Sequence, residues 1–417
     1  MNKRILYLYI FLFIFFADAY FIIPWLKPIT IFSYLLIGLS FSAKQKKLDK
    51  NSRKLQYVFF LFIAYTFVVN LIQNDTQLAF SALLSTIYIP FVFGIFSRKE
   101  GNYKFLYFYA KWYVVYNGFF AVLQFLGVYV TAGELLAKLP FLSVDSGFAI
   151  DFSNQGLRIS GASYSSIGFA STIGAIFLFI YFTKTKTLLN PKMRKIYLII
   201  LIFLIIMTQT RSIIYAMVPV IYLTNVFITG RNIKKLASII VGLGFTVFII
   251  ILLLPTIQSA FPRLFLNVEE DGSVIHRIQA NVYGVVGTFY TSPIIGMPKE
   301  SSLDAMDIGY NKLGLFLGDR YIDEVTQHNQ PSYFFRYYGI IGFLFFILIY
   351  RAMFKISLSK SNPEFMKKIL FSILIFHLLY TFSHNNKITG DIYIWFFMAL
   401  NFRSTIFIKK LNEEKVN

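Results

Sequence analysis

His328-Asn329-Gln330-Pro331-Ser332-Tyr333-Phe334-Phe335-Arg336-Tyr337-Tyr338-Gly339-Ile340-Ile341-Gly342 closes a polar insert, about 257–332, and leads the chain back into an apolar run. A histidine and an amide therefore stand at a boundary between watery and apolar surroundings. The residues on either side decide what that boundary is. Long apolar runs recur from one end of the chain to the other, in a sequence that is 57% hydrophobic and 14% charged, with 49 Phe and 28 Tyr. A water-soluble protein of 417 residues cannot hide that much apolar surface. The runs are continuous rather than alternating every second residue, which excludes an outer-membrane barrel. They predict an all-α, polytopic membrane protein.

Twelve spans are expected, at roughly 5–26, 28–43, 55–73, 77–97, 104–130, 162–183, 195–209, 212–229, 235–256, 333–352, 366–383 and 390–408. The first follows Asn2-Lys3-Arg4; it lacks a small-residue cleavage site and is too long for a signal-peptide core, so it reads as a span. Alternate short loops are rich in Lys and Arg: Lys44–Lys54, Arg98–Lys104, Lys184–Lys195, Arg231–Lys235 and Arg351–Lys368. The loops between them carry about one basic residue each or none. By the positive-inside rule both termini are cytoplasmic. The same distribution argues against nucleic acid as the partner of a chain with net charge +20, because the charge forms no single face. Three divisions follow: 1–256 with nine helices and an outer loop near 131–161; 257–332 as a large extracytoplasmic loop with short helices; and 333–417 with three helices and a cytoplasmic tail. The large loop holds nine of the chain's 20 acidic residues. With no Cys, disulfide and thiolate chemistry are excluded.

Scarce polar residues gather on the outer side. Arg211, in Thr208-Gln209-Thr210-Arg211-Ser212, lies between two apolar runs; it reads either as an interfacial arginine snorkelling to water or as a phosphate clamp whose planar fork suits two phosphate oxygens. Arg158 lies between Gly156 and Gly161 just before a span, and Arg277 beside His276 opens a partly apolar stretch of the large loop. Of four histidines, His276, His328 and His384 fall on or near the outer side, and His377 falls within the eleventh span. His328 is either a structural histidine at a loop–helix junction or a general base, its ordinary pKa suiting neutral pH. His384, in Ser383-His384-Asn385, is the weaker candidate. No histidine spacing fits a metal site, and no Gly-Lys-Ser/Thr phosphate loop is present.

These residues together resemble the bacterial O-antigen polymerase and O-antigen ligase superfamily. The likeness rests on Arg158-Ile159-Ser160-Gly161 before a span, the Thr210-Arg211-Ser212 turn, and Arg277 in a late outer loop. It is completed by Pro293-Ile294-Ile295-Gly296, His328-Asn329 and Tyr337-Tyr338-Gly339-Ile340-Ile341-Gly342. The resemblance implies a GT-C-like enzyme of the inner membrane that needs no metal or other cofactor. It would transfer a glycan from undecaprenyl pyrophosphate to a hydroxyl of another lipid-linked repeat unit on the outer face. Arg211 and Arg277, with Arg158, would hold the pyrophosphate; His328 would take the hydroxyl proton; Asn329 would orient it or a sugar; aromatic residues including Tyr333 would stack on sugar rings. The lipid bilayer and a separate chain-length regulator are the expected further partners. Two alternatives remain open: a ligase of the same superfamily, which differs only in its acceptor, and a flippase or transporter of lipid-linked oligosaccharide.

Overall fold

The protein is seen in a computed structural model that describes residues 48–73, 75–98, 103–128, 159, 166–183, 190–208, 210–229, 272–314, 329–383 and 392–399. Among these residues the fold is all-helical, with no strand. The helices, in chain order, are α1 (Lys50–Ile72), α2 (Thr76–Thr86), α3 (Tyr88–Arg98), α4 (Tyr103–Phe125), α5 (Ser166–Phe182) and α6 (Pro191–Met207). There follow α7 (Arg211–Thr229), α8 (Gly272–Thr291), α9 (Ser302–Leu313), α10 (Gln330–Ser357), α11 (Glu364–Ser383) and α12 (Ile392–Met398). The expected spans at 5–26, 28–43 and 235–256, most of the loop at 131–161, and both termini lie outside the described residues.

Local chemistry explains where the helices start. Asp49 caps α1 by accepting from the Ser52 amide at 2.8 Å and from its hydroxyl at 3.0 Å. Asp75 caps α2 through the Leu78 amide, and Asn190, followed by Pro191 in the first turn, caps α6. The run read as one span at 77–97 is two helices. Pro90 has no amide to donate to Thr86, so the ladder breaks between α2 and α3. The Pro90 carbonyl accepts from the side-chain amide of Gln56 on α1, at 2.9 Å.

The larger departure is in α10. Gly339 takes φ 62° and ψ −163°, a region that only glycine occupies readily, and there the helix reverses. Phe334 and Phe346 meet with ring centroids 5.3 Å apart, and the Tyr350 hydroxyl donates to Gln330 Oε1 at 3.2 Å. In a straight helix those pairs would be about 18 and 30 Å apart. The expected span at 333–352 is therefore a hairpin: a short arm, Gln330–Tyr338, folds back along a long arm, Ile340–Ser357. A domain boundary at 332/333 cuts through the short arm.

α8 and α9 lie within the segment 257–332, and α8, with 20 residues, is longer than the short helices expected there. They pack antiparallel and very close: a side chain at Gly287 would run into the Ala305 backbone, and one at Gly309 into that of Tyr283. α8 also packs on α10, and α10 packs on α1 and α11. α5, almost wholly buried, lies among α6, α7 and α11.

The core is apolar, yet Asn70, Asn117, Gln124, Ser372, His377 and Thr381 are buried with it, while Leu61, Phe119, Ile199, Phe203 and Ile347 are exposed. Among the described residues two helices, Lys50–Ile72 and Gln330–Ser357, are long and apolar enough to cross a membrane. Of the second, the long arm alone extends about 27 Å, close to the roughly 30 Å of a hydrocarbon layer.

Candidate functional site

The chain between α8 and α9 is knotted to the reversal of α10. Met297 donates its amide to the Arg336 carbonyl at 2.9 Å, and Ile340 donates to that of Pro293 at 2.8 Å. Gly296, with φ 78°, and Gly339 lie where a side chain on either would strike the other segment's backbone. Pro293-Ile294-Ile295-Gly296 and Tyr337-Tyr338-Gly339, far apart in sequence, are thus a single contact. From α1, the Tyr65 hydroxyl donates to the Tyr338 carbonyl at 2.7 Å, and the Gln73 amide reaches the carbonyls of Ile295 and Tyr337, both at 3.3 Å.

Arg336 fastens this knot. It is fully buried; Nη1 donates to Met297 O at 3.0 Å, and Nη2 donates to Ser301 O at 2.9 Å and Pro298 O at 3.5 Å. Its guanidinium lies 5.0 Å from the centre of the Tyr337 ring. Three carbonyls in the turn before α9 are what a planar fork can satisfy at once and an ammonium cannot. The sequence reading passed over Arg336; its signal was a lone arginine among aromatics inside an apolar run.

The short arm opens beside α8. Asn329 caps it, accepting from the Ser332 amide at 2.7 Å, and its own amide donates to Asn281 Oδ1 at 3.3 Å. Asn281 lies one turn along α8 from Arg277, so both share the face toward the arm. Arg277 is half-buried, and its Nε, like that of Arg336, is buried without a hydrogen-bond partner among the described residues. Tyr333, one turn into the arm, lies with its ring centroid 4.7 Å from that of Tyr337 and packs against the main core. The side-chain oxygen of Asn329, expected to orient substrate, is thus engaged in capping, and Tyr333 belongs in large part to the core.

A second meeting point lies at the turn between α6 and α7. Ile159, next to Arg158, donates its amide to Met207 O at 3.1 Å. Thr208 and Thr210 are buried in the turn, and Arg211 is the first residue of α7. Ile159 therefore adjoins the turn that leads into α7. A side chain added at Gly174 of α5 would meet both Ile213 of α7 and Phe376 of α11. The α7 turn thus lies close to a small cavity lined by Ser171, Thr172, Ala175, Phe376 and His377.

His377 enters that region from α11. It is buried, and its Nδ1 lies 2.8 Å from the Tyr350 hydroxyl, which donates on to Gln330 Oε1. With that proton given to Gln330, Nδ1 must carry the hydrogen of the second bond. The long arm places Tyr350 ten residues, about 15 Å, from the reversal. Gln330, and with it the N-terminus of the short arm, sits at the same depth. Sequence alone placed His377 in a span and gave it no role.

Arg158, His328 and His384 lie outside the described residues; for His276 and Arg211 the backbone is described, in α8 and α7, and the side chains are not. Of the expected residues the structure brings Arg277, Asn329 and Tyr333 to one corner, where the described chain resumes one residue after His328. No protein-family model matches the chain, and no curated protein matches it in sequence.

Proposed function

We infer that this chain is a glycosyltransferase of the O-antigen polymerase type, embedded in the bacterial inner membrane by twelve helices with both termini in the cytoplasm. The surface and interior polarity support the membrane setting: exposed Leu61, Phe119 and Phe203 suit lipid, and buried Asn70, Gln124 and His377 suit a helical interior. The observation that carries the catalytic reading is convergence. Segments picked out from sequence for one chemistry pair off in space, Pro293–Gly296 with Tyr337–Gly339, and Ile159 with the turn before Arg211. Asn281, one turn along α8 from Arg277, accepts from the amide of Asn329, the residue that follows His328 in sequence.

On this reading a hydroxyl oxygen of one lipid-linked repeat unit attacks the anomeric carbon of a glycan held on undecaprenyl pyrophosphate. The glycosidic bond forms as the bond to the pyrophosphate oxygen breaks. His328 accepts the hydroxyl proton, and Arg211, Arg277 and Arg158 meet the charge that develops on the leaving pyrophosphate. Three guanidinium groups can provide the electrostatic stabilisation that a divalent ion provides elsewhere.

A flippase for the same lipid-linked oligosaccharides is the second reading, and the reversal of α10 favours it. A half-helix whose N-terminus opens at mid-depth is a recurrent feature of transporter binding sites. Purified protein in nanodiscs, given a lipid-linked repeat unit in the presence of EDTA, separates the two. A ladder of multiples of the repeat unit is the expected result. Unchanged single units, with fluorescent lipid-linked sugar crossing proteoliposomes, would overturn the polymerase reading.

A further inference from the structure

The chain of hydrogen bonds from His377 through Tyr350 to Gln330 joins three segments that sequence keeps apart: α11, the long arm and the first residue of the short arm. All three side chains are buried, Gln330 and Tyr350 within 5% of full burial and His377 at 3% exposure. Three polar groups at that depth are expensive, and well-packed apolar residues would hold the helices together without them. A phenylalanine in place of Tyr350 would fill nearly the same volume. What the hydroxyl adds is a fixed distance between His377 and the start of the short arm. Elsewhere the arm is held by its far end, through Arg336 and the reversal at Gly339. Its near end has the Gln330–Tyr350 bond and the contact of Asn329 with Asn281.

We propose that His377 is a positioning residue for the active site: through Tyr350 it holds Gln330, and so sets the depth and register at which the short arm begins, at Asn329. The proposal rests on the glycosyltransferase reading for what the arm serves, and on the hydrogen-bond chain for how it is held. His377 touches neither substrate nor reacting atoms. It acts at one remove, as the residue that orients a catalytic base does in a smaller active site. The pattern also explains why the arm is short and folded back. An extended α10 would carry its first residues out beyond the bundle, away from any tie to α11.

The absence of cysteine makes a clean test of the holding half. A single Ser332→Cys change places a thiol in the first turn of the short arm, where its reaction with a maleimide reports how often the arm opens. In that background Tyr350→Phe and His377→Ala should each speed labelling about five- to tenfold, the factor that loss of one buried hydrogen bond is worth. His377→Asn, which keeps a hydrogen-bonding atom near the place of Nδ1, should restore slow labelling. In the polymerisation assay the same three variants, built without the cysteine, should lower kcat for Tyr350→Phe and His377→Ala with KM for the lipid-linked unit unchanged, and recover kcat for His377→Asn. Labelling unchanged by both substitutions overturns the proposal, whatever the activity. Faster labelling with an unchanged kcat also overturns it, because the arm would then be tied but not in service of the reaction. A parent protein that makes no polymer overturns the glycosyltransferase reading and the catalytic half with it, and the labelling rates still decide whether His377 holds the arm.

Discussion

Arg336 shows how much a single side chain can organise. Its fork satisfies carbonyls of Met297, Pro298 and Ser301 while it lies on Tyr337 with no exposure to solvent. Arg336→Lys keeps the charge and loses the geometry, so some of those carbonyls go unmet. The expected loss of stability is about 1–3 kcal/mol, seen as a lower Tm in detergent; an unchanged Tm would show that the knot does not depend on the fork. Arg211 poses the opposite question, since its proposed role is to meet substrate. Arg211→Lys should leave Tm in place and reduce polymer formation at least about tenfold, because a point charge replaces a bidentate donor. Equal activity in the lysine variant would mark Arg211 as an interfacial arginine.

At the scale of elements, the outcome turned on where the helix ladder is interrupted. Composition located α1, α4, α5, α6, α7 and α11 to within a few residues, since an apolar run of that length has few other ways to fold. The start of α1 lies five residues before the expected 55 because Asp49 caps a first turn made of Lys50, Asn51, Ser52 and Arg53, which hydropathy alone reads as loop. Pro90 was a legible break that a long apolar run disguised. Gly339 was not legible in the same way. One glycine in an apolar run reads as a packing site, and its reversal is fixed by Ile294, whose backbone leaves no room for a side chain. The tie between Gln330, Tyr350 and His377 was beyond sequence because each partner is polar for no local reason. Gly339→Ala tests this scale: strain of about 1–3 kcal/mol together with the clash against Ile294 should unfasten α8 and α9 from α10, exposing 293–297 to limited proteolysis. Resistance equal to that of the parent protein would contradict the lock. The candidate site was legible as a set of short motifs, and their pairing in space came only from the fold.

For the molecule as a whole, the proposed topology makes a wiring prediction. Reporter fusions after Lys99, Lys186, Lys234 and Lys360 should report the cytoplasm, and fusions after Asp145 and Glu300 the outer side, as the alternation of basic loops demands. A cytoplasmic signal at Glu300 would put α8, α9 and Arg277 on the wrong face for lipid-linked sugars and end the polymerase reading. The exposed apolar residues give the same prediction in another form: the protein should remain in the membrane pellet after alkaline extraction, since Leu61, Phe119, Ile199 and Ile347 are exposed.

The whole account hangs from the reversal at Gly339, which carries the start of the short arm into the bundle beside α8 and α11. Phe334→Cys with Phe346→Cys, in a chain that has no other cysteine, tests it directly. The two ring centroids are 5.3 Å apart, and a short bifunctional thiol reagent applied in membranes should join the two cysteines into one cross-linked peptide by mass spectrometry. A continuous helix would hold the two positions about 18 Å apart, beyond such a reagent's reach, and two singly modified thiols would contradict the fold-back and the site built on it.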